Sequence, residues 1–202
     1  MEQATTTTDF SFNIVHQEKY SRGELLLRSF FGFLYIIIPH FFLLALVGIA
    51  SGVLGFISWW AVLFTAKYPR TFFDFQVSVM RWSNRVLARI MNLSDGYPAF
   101  GMNVQDERVT LDIAYPERLS RGVLILRLFF SMLYVLIPHG FCLFFRMIGT
   151  YVIIFIAWWA VLFTGNYPKG MHEFVVGTFR WATRVNIYLS FMTDKYPPFS
   201  GK

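Results

Sequence analysis

Two histidines, His40 and His139, each follow a proline inside a long apolar run, in the same string Ile-Pro-His. An ionisable ring in such a place is a functional candidate by default. If the two rings met, they could share a proton, a metal ion or a quinone-like ligand. A metal would need a third ligand, and Glu24, at the mouth of the first run, is the one carboxylate near either. The plainer reading is that each ring satisfies a carbonyl freed by its proline or bonds a neighbouring helix.

The arginines come next. Arg22 and Arg121 open the apolar runs, and Arg28 and Arg127 sit about one turn inside them. They can reach lipid phosphates with the charged head while the stem stays apolar, or pair with Asp95 and Asp194. Arg81, Arg85 and Arg89, with Arg180 and Arg184 later, form a basic stripe beside Trp82 and Trp181. Trp59-Trp60 and Trp158-Trp159 stand a turn before the ends of the runs, where aromatic belts form at membrane surfaces. These arginines and tryptophans are the expected binding surface for anionic lipid headgroups and for a membrane partner or a second copy of the chain. His40 and His139 are the one expected polar site at membrane depth.

Reactive constellations are missing: there is no phosphate loop, dinucleotide fingerprint, HExxH or nucleophile elbow. No catalytic residue, metal or cofactor is expected. Cys142 is the single cysteine, so no disulfide framework forms within one chain. The basic and aromatic residues are segregated along apolar helices, which argues against nucleic-acid binding.

The elements that must position these residues occur twice. A shift of 99 positions aligns Tyr20–Phe100 with Leu119–Phe199 at 38 identities in 81 pairs without a gap. The chain is therefore two homologous units, 9–100 and 101–202. Hydrophobic residues make up 55% and charged residues only 15%, with mean hydropathy +0.48. Soluble domains carry roughly a quarter charged residues, so the composition reads as a membrane protein.

Each unit starts with a period-2 segment, Phe10-x-Phe12-x-Ile14 and Val109-x-Leu111-x-Ile113, expected to be a short strand. The strands could pair with each other or with another chain. The apolar runs 23–66 and 122–165 read as helical hairpins, with a tight turn at Gly48 to Gly52. The first limb is long enough to cross a bilayer, and the second, about 15 residues, covers roughly 22 Å. The hairpins would thus span with local thinning or re-enter from one side. Amphipathic helices are expected over 71–93 and 171–192, lying in the headgroup layer. Lys and Arg crowd the open ends of the hairpins, with Arg146 the exception. That bias places both termini in the cytoplasm and gives the repeats one shared orientation. Residues 1–8 are expected to be disordered, and the polar start, without an apolar core, leaves insertion to the first hairpin. The expected class is an all-α membrane protein of two parallel tandem repeats.

The strings Trp-Trp-x-Val-Leu-Phe-Thr, Tyr-Pro, Arg-Trp-x-x-Arg-Val and Asp-x-Tyr-Pro-x-Phe occur in both repeats. They resemble bacterial membrane proteins grouped as domain of unknown function 4389. The resemblance implies a multi-pass protein of the bacterial inner membrane and carries over no catalytic residue. The expected role is non-enzymatic: an accessory or scaffold subunit, or a lipid-contacting adaptor. The alternatives are a small homo-oligomeric transporter or lipid translocator working at the His40/His139 level, and then a membrane enzyme acting on lipid or quinone.

Overall fold

A computed structural model describes residues 9–202, and the expected disorder of 1–8 lies outside them. The order is β1 (Phe10–Ile14), α1 (Arg22–Thr65), α2 (Arg70–Ile90), β2 (Val109–Ile113), α3 (Arg121–Thr164) and α4 (Lys169–Leu189). The described chain is mostly helical, in two halves that repeat each other, and α1 and α3 are long and apolar enough to cross a membrane.

Each expected hairpin is instead one helix of 44 residues. Nothing at Gly48 to Gly52 turns the chain: among the described residues, the glycines with positive φ are Gly96, Gly101 and Gly165. Glycine inside a helix costs about 1 kcal/mol against alanine, which weakens a helix without ending it. Ser21 and Ser120 cap the starts, accepting from the Glu24 and Val123 amides at 3.3 Å. The interior prolines Pro39 and Pro138 are carried by π-helical turns, Phe33–Ile37 and Met132–Leu136.

The ends are set by left-handed residues, Ala66 (φ 59°) and Gly165 (φ 75°). An L-residue with a Cβ is strained there by roughly 1–2 kcal/mol. Ala66→Gly, which copies the second repeat, should therefore raise unfolding stability by about 1 kcal/mol in denaturant titrations.

The helices α2 and α4 lie in the interior of the protein, covered on more than the one face expected of an amphipathic helix. Ala88, Val175 and Thr178 are completely buried, and burial extends round several faces of both helices. The long helices flank this pair, and the strands cover it. β1 and β2 pair antiparallel with Phe12 opposite Leu111, two residues that are themselves repeat equivalents. A local two-fold axis thus runs through the centre of the ribbon. The same symmetry appears where the halves meet: Tyr20 N–H donates to Gly165 O (2.9 Å), and Leu119 N–H donates to Ala66 O (2.8 Å). Arg22 reaches Phe163 O and Arg121 reaches Phe64 O. The start of each long helix therefore abuts the end of the other.

Candidate functional site

His40 and His139 are fully buried. Trp82 Nε1–H donates to His40 Nδ1 (3.0 Å), and Trp181 Nε1–H donates to His139 Nδ1 (2.9 Å). Indole nitrogen is a donor only, so the imidazole proton sits on Nε2 in both rings. Each ring stacks on a phenylalanine, Phe100 at 4.0 Å or Phe199 at 3.9 Å, with Tyr97 or Tyr196 alongside. All these partners of His40 come from the first repeat and those of His139 from the second, so these contacts do not join the rings into a shared site.

Tyrosines serve the prolines. Tyr97 hydroxyl donates to Tyr35 O (3.0 Å) and Tyr196 hydroxyl to Tyr134 O (2.7 Å). Those are the carbonyls four residues before Pro39 and Pro138, the ones a helical proline cannot bond. Each closing Tyr-Pro-x-Phe segment is thus a lid over its own proline and histidine.

The arginines face inward. Arg28 meets Asp95 Oδ1 at 2.8 Å, with Glu24 and Asn92 beside it. Arg127 meets Asp194 Oδ1 at 2.8 Å and the Tyr188 and Thr193 carbonyls, under the Tyr188 ring. The stripe expected to lie on lipid holds loops instead. Arg85 is 1% exposed and bonds the Val104 and Gly101 carbonyls, while Arg184 bonds those of Ser200 and Lys202. Arg81 and Arg180 donate to Leu111 O and Phe12 O of the ribbon. Arg89 meets Asp106 at 2.7 Å, and burial pulls its pKa down against that carboxylate. An aromatic helix edged with arginine has the same sequence pattern whether the arginines bind phosphates or backbone carbonyls. Arg146, the outlier in charge placement, turns into the protein to bond Thr178 Oγ1 (2.9 Å) over Phe174.

Of the paired tryptophans, Trp60 and Trp159 stay exposed. Their neighbours differ between repeats. Trp158 Nε1–H donates to Ser29 Oγ at 2.8 Å, whereas Trp59 Nε1 is buried without a partner. The position equivalent to Ser29 is Leu128. Trp59 borders a cavity of about 530 Å³ that is also lined by Gly52, Gly55, Phe56, Leu128 and Phe191. A second cavity, of about 420 Å³, lies between α2 and α4, and both touch Ser51, Gln76 and Ser190.

The sequence reading missed His16 and His172. Their rings meet edge to face at 5.1 Å, with His16 Nε2 against Tyr167 O (2.7 Å) and His172 Nε2 against Leu93 O (3.3 Å). The signal was in the repeat alignment, where Tyr115 and Phe73 occupy the equivalent places. Burial pulls His172 down to about 4, the Leu93 carbonyl opposing the shift.

Among the described residues no three His, Cys, Asp or Glu side chains converge as a metal site. No curated protein and no solved structure matches the chain. The model of one family, the domain of unknown function DUF4389, matches residues 25–101 and again 122–201, nearly the full extent of each repeat. The chain therefore belongs to the DUF4389 family, as a tandem duplication of its domain.

Proposed function

We propose that the chain is a non-catalytic protein embedded in the bacterial inner membrane, where it serves as an accessory or scaffold subunit for a larger assembly. The observation that carries this reading is the bare apolar surface of α1 and α3. Only 11% and 17% of their most apolar 18-residue stretches are buried, and Phe30, Phe41, Phe42, Phe141, Phe144 and Phe163 are each more than half exposed. Contiguous apolar patches on soluble monomers stop at a few hundred Å². Lipid, together with a membrane partner, is the solvent such a surface fits.

The helices lie along the membrane more readily than across it. At 1.5 Å per residue a 44-residue helix is roughly 66 Å long, about twice the hydrocarbon thickness. The polar ribbon covers one side of the α2–α4 pair and lies on the two-fold axis. If that axis stands along the membrane normal, both repeats enter from one face, which the Lys and Arg bias makes cytoplasmic. The transporter alternative would have to use two separate histidines at one depth, since each ring is enclosed by side chains of its own repeat.

Impermeant maleimide labelling tests the embedding. In a Cys142→Ser background, Lys19→Cys and Lys67→Cys should both label in inverted vesicles and stay unlabelled from outside intact spheroplasts. Gly48→Cys should resist from both sides. Labelling of the first two from opposite faces would overturn the arrangement. Purification in mild detergent after crosslinking in native membranes tests the scaffold role, and a lone monomer would count against it.

A further inference from the structure

The two adjoining cavities belong to one side of a pseudo-symmetric molecule. Residues Gly52, Gly55, Gln76 and Ser190 line them, where the equivalent places carry Tyr151, Ile154, Val175 and Met91. Tyr151, Ile154 and Met91 thus put bulk on the opposite flank where Gly52, Gly55 and Ser190 leave space. In the second repeat the tryptophan donor is satisfied by Ser29, while in the first Trp59 Nε1–H is buried and unpaired. An unpaired buried donor is rare and asks for an acceptor. Its indole lines an open cavity of ligand size, with Nε1 just beneath the surface.

The lining has two characters. Phe56, Leu128 and Phe191 make the Trp59 end apolar. The α2–α4 end presents Ser83, Asn84, Thr183 and Asn186, with hydroxyls and amides and no charged side chain. Ser83 lies two residues, roughly 200° round the helix, from Arg81, which faces the ribbon. This end therefore opens away from the ribbon, on the side assigned to lipid above.

We propose that these two adjoining cavities together bind an uncharged acyl ester: a glyceride with its hydroxyl head among Asn84, Thr183 and Asn186 and its ester carbonyl accepting from Trp59 Nε1–H once the indole turns toward it. The acyl chain then leaves past Phe56 and Leu128 into the bilayer. A phosphate or free carboxylate would find no cation in the lining. The proposal rests on the membrane-embedded reading and goes beyond it by naming a ligand.

Photocrosslinking of the full chain in dodecylmaltoside tests it, with a diazirine-bearing monoacylglycerol as probe and the matching diacylglycerol, fatty acid and phosphatidylglycerol as further arms. The neutral glycerides should label the segment 52–59 or Leu128, and the relative labelling of the two tells one chain from two. Gly55→Ile copies the second repeat, and a Cβ there meets only Gln76 Nε2 at an ordinary 3.6 Å. It should cut labelling of this segment at least tenfold with the thermal melt unchanged. Leu128→Ser gives Trp59 the partner that Trp158 already has and should weaken binding about fivefold. Equal labelling by phosphatidylglycerol or the fatty acid would overturn the uncharged-ester assignment. Labelling spread over Phe41 and Phe141 and indifferent to Gly55→Ile would overturn the cavity site while leaving the embedded reading standing. A chain that stays soluble without detergent and labels nowhere would remove that reading itself.

Discussion

Asp95→Ala lowers unfolding stability by about 3–4 kcal/mol, the largest effect expected of any single substitution described here. Asp95 Oδ1 accepts from buried Arg28, and Oδ2 accepts from the Ser21 amide at 2.7 Å. The carboxylate thus ties the end of the first repeat to the cap of α1. Removing one partner of a buried pair typically costs about 3–5 kcal/mol, and Glu24, 3.1 Å from Arg28 but with its side chain 41% exposed, offsets only part of that. Asp194→Ala does the same to Arg127 and Ser120, but the Asp194 side chain is 28% exposed against 10% for Asp95. Water can enter at the vacated Asp194 position, and Arg127 keeps its bonds to the Tyr188 and Thr193 carbonyls, so the loss should be nearer 2 kcal/mol. Arg28→Met combined with Asp95→Leu should recover most of the deficit, because apolar replacement of both partners removes the desolvation penalty with the pair. Denaturant unfolding in detergent, followed by circular dichroism, measures all three variants. A double variant as unstable as Asp95→Ala would show that shape at this joint matters more than charge.

The second large effect is with pH. His172 is neutral in the folded chain, with burial lowering it from 6.5 to about 4. The groups facing it are the His16 and Tyr167 rings and the Leu93 carbonyl, with Glu173 next to it in sequence. Between pH 6.5 and 4 the unfolded chain binds a proton that the folded chain refuses, so stability falls as pH falls through that window. Above 6.5 both states are neutral and the term vanishes. A shift of this size corresponds to about 3 kcal/mol lost by pH 4. Carboxylates titrate in the same range, so the comparison to make is against His172→Phe, which installs the residue the first repeat carries at this place. That variant should keep its neutral-pH stability within about 1 kcal/mol and show a slope shallower by up to one proton across the window. An unchanged slope would mean that His172 takes its proton in the folded state.

The sequence exposed the features that rest on repetition. The 99-residue shift marked both units, and the alternation at Phe10 and Val109 marked strands that do pair with each other. The pairing of Arg28 with Asp95 was one of two readings open to a buried arginine, and it is the one found. What stayed hidden depends on direction in space. Small residues from Gly48 to Gly52 have a turn's composition, yet only backbone dihedrals tell a turn from a weak stretch of helix, and here α1 continues. Arginines at 81, 85 and 89 show one face of a helix without showing what lies opposite, which proved to be the ribbon and the following loop. The bond from Trp82 to His40 spans 42 residues and leaves no local trace. The unpartnered Trp59 was readable in principle, since Leu128 against Ser29 is a visible mismatch in the alignment.

The crosswise bonds from Tyr20 to Gly165 and from Leu119 to Ala66 have a consequence for ancestry. Each half supplies one side of both seams, so a polypeptide of one half alone would leave a lone strand and an undocked helix tip. Two such polypeptides would close each other and build the same body from identical twins. Fusion into one gene then frees each half to drift separately, and a hollow on one flank with bulk on the other is an asymmetry that identical twins cannot have.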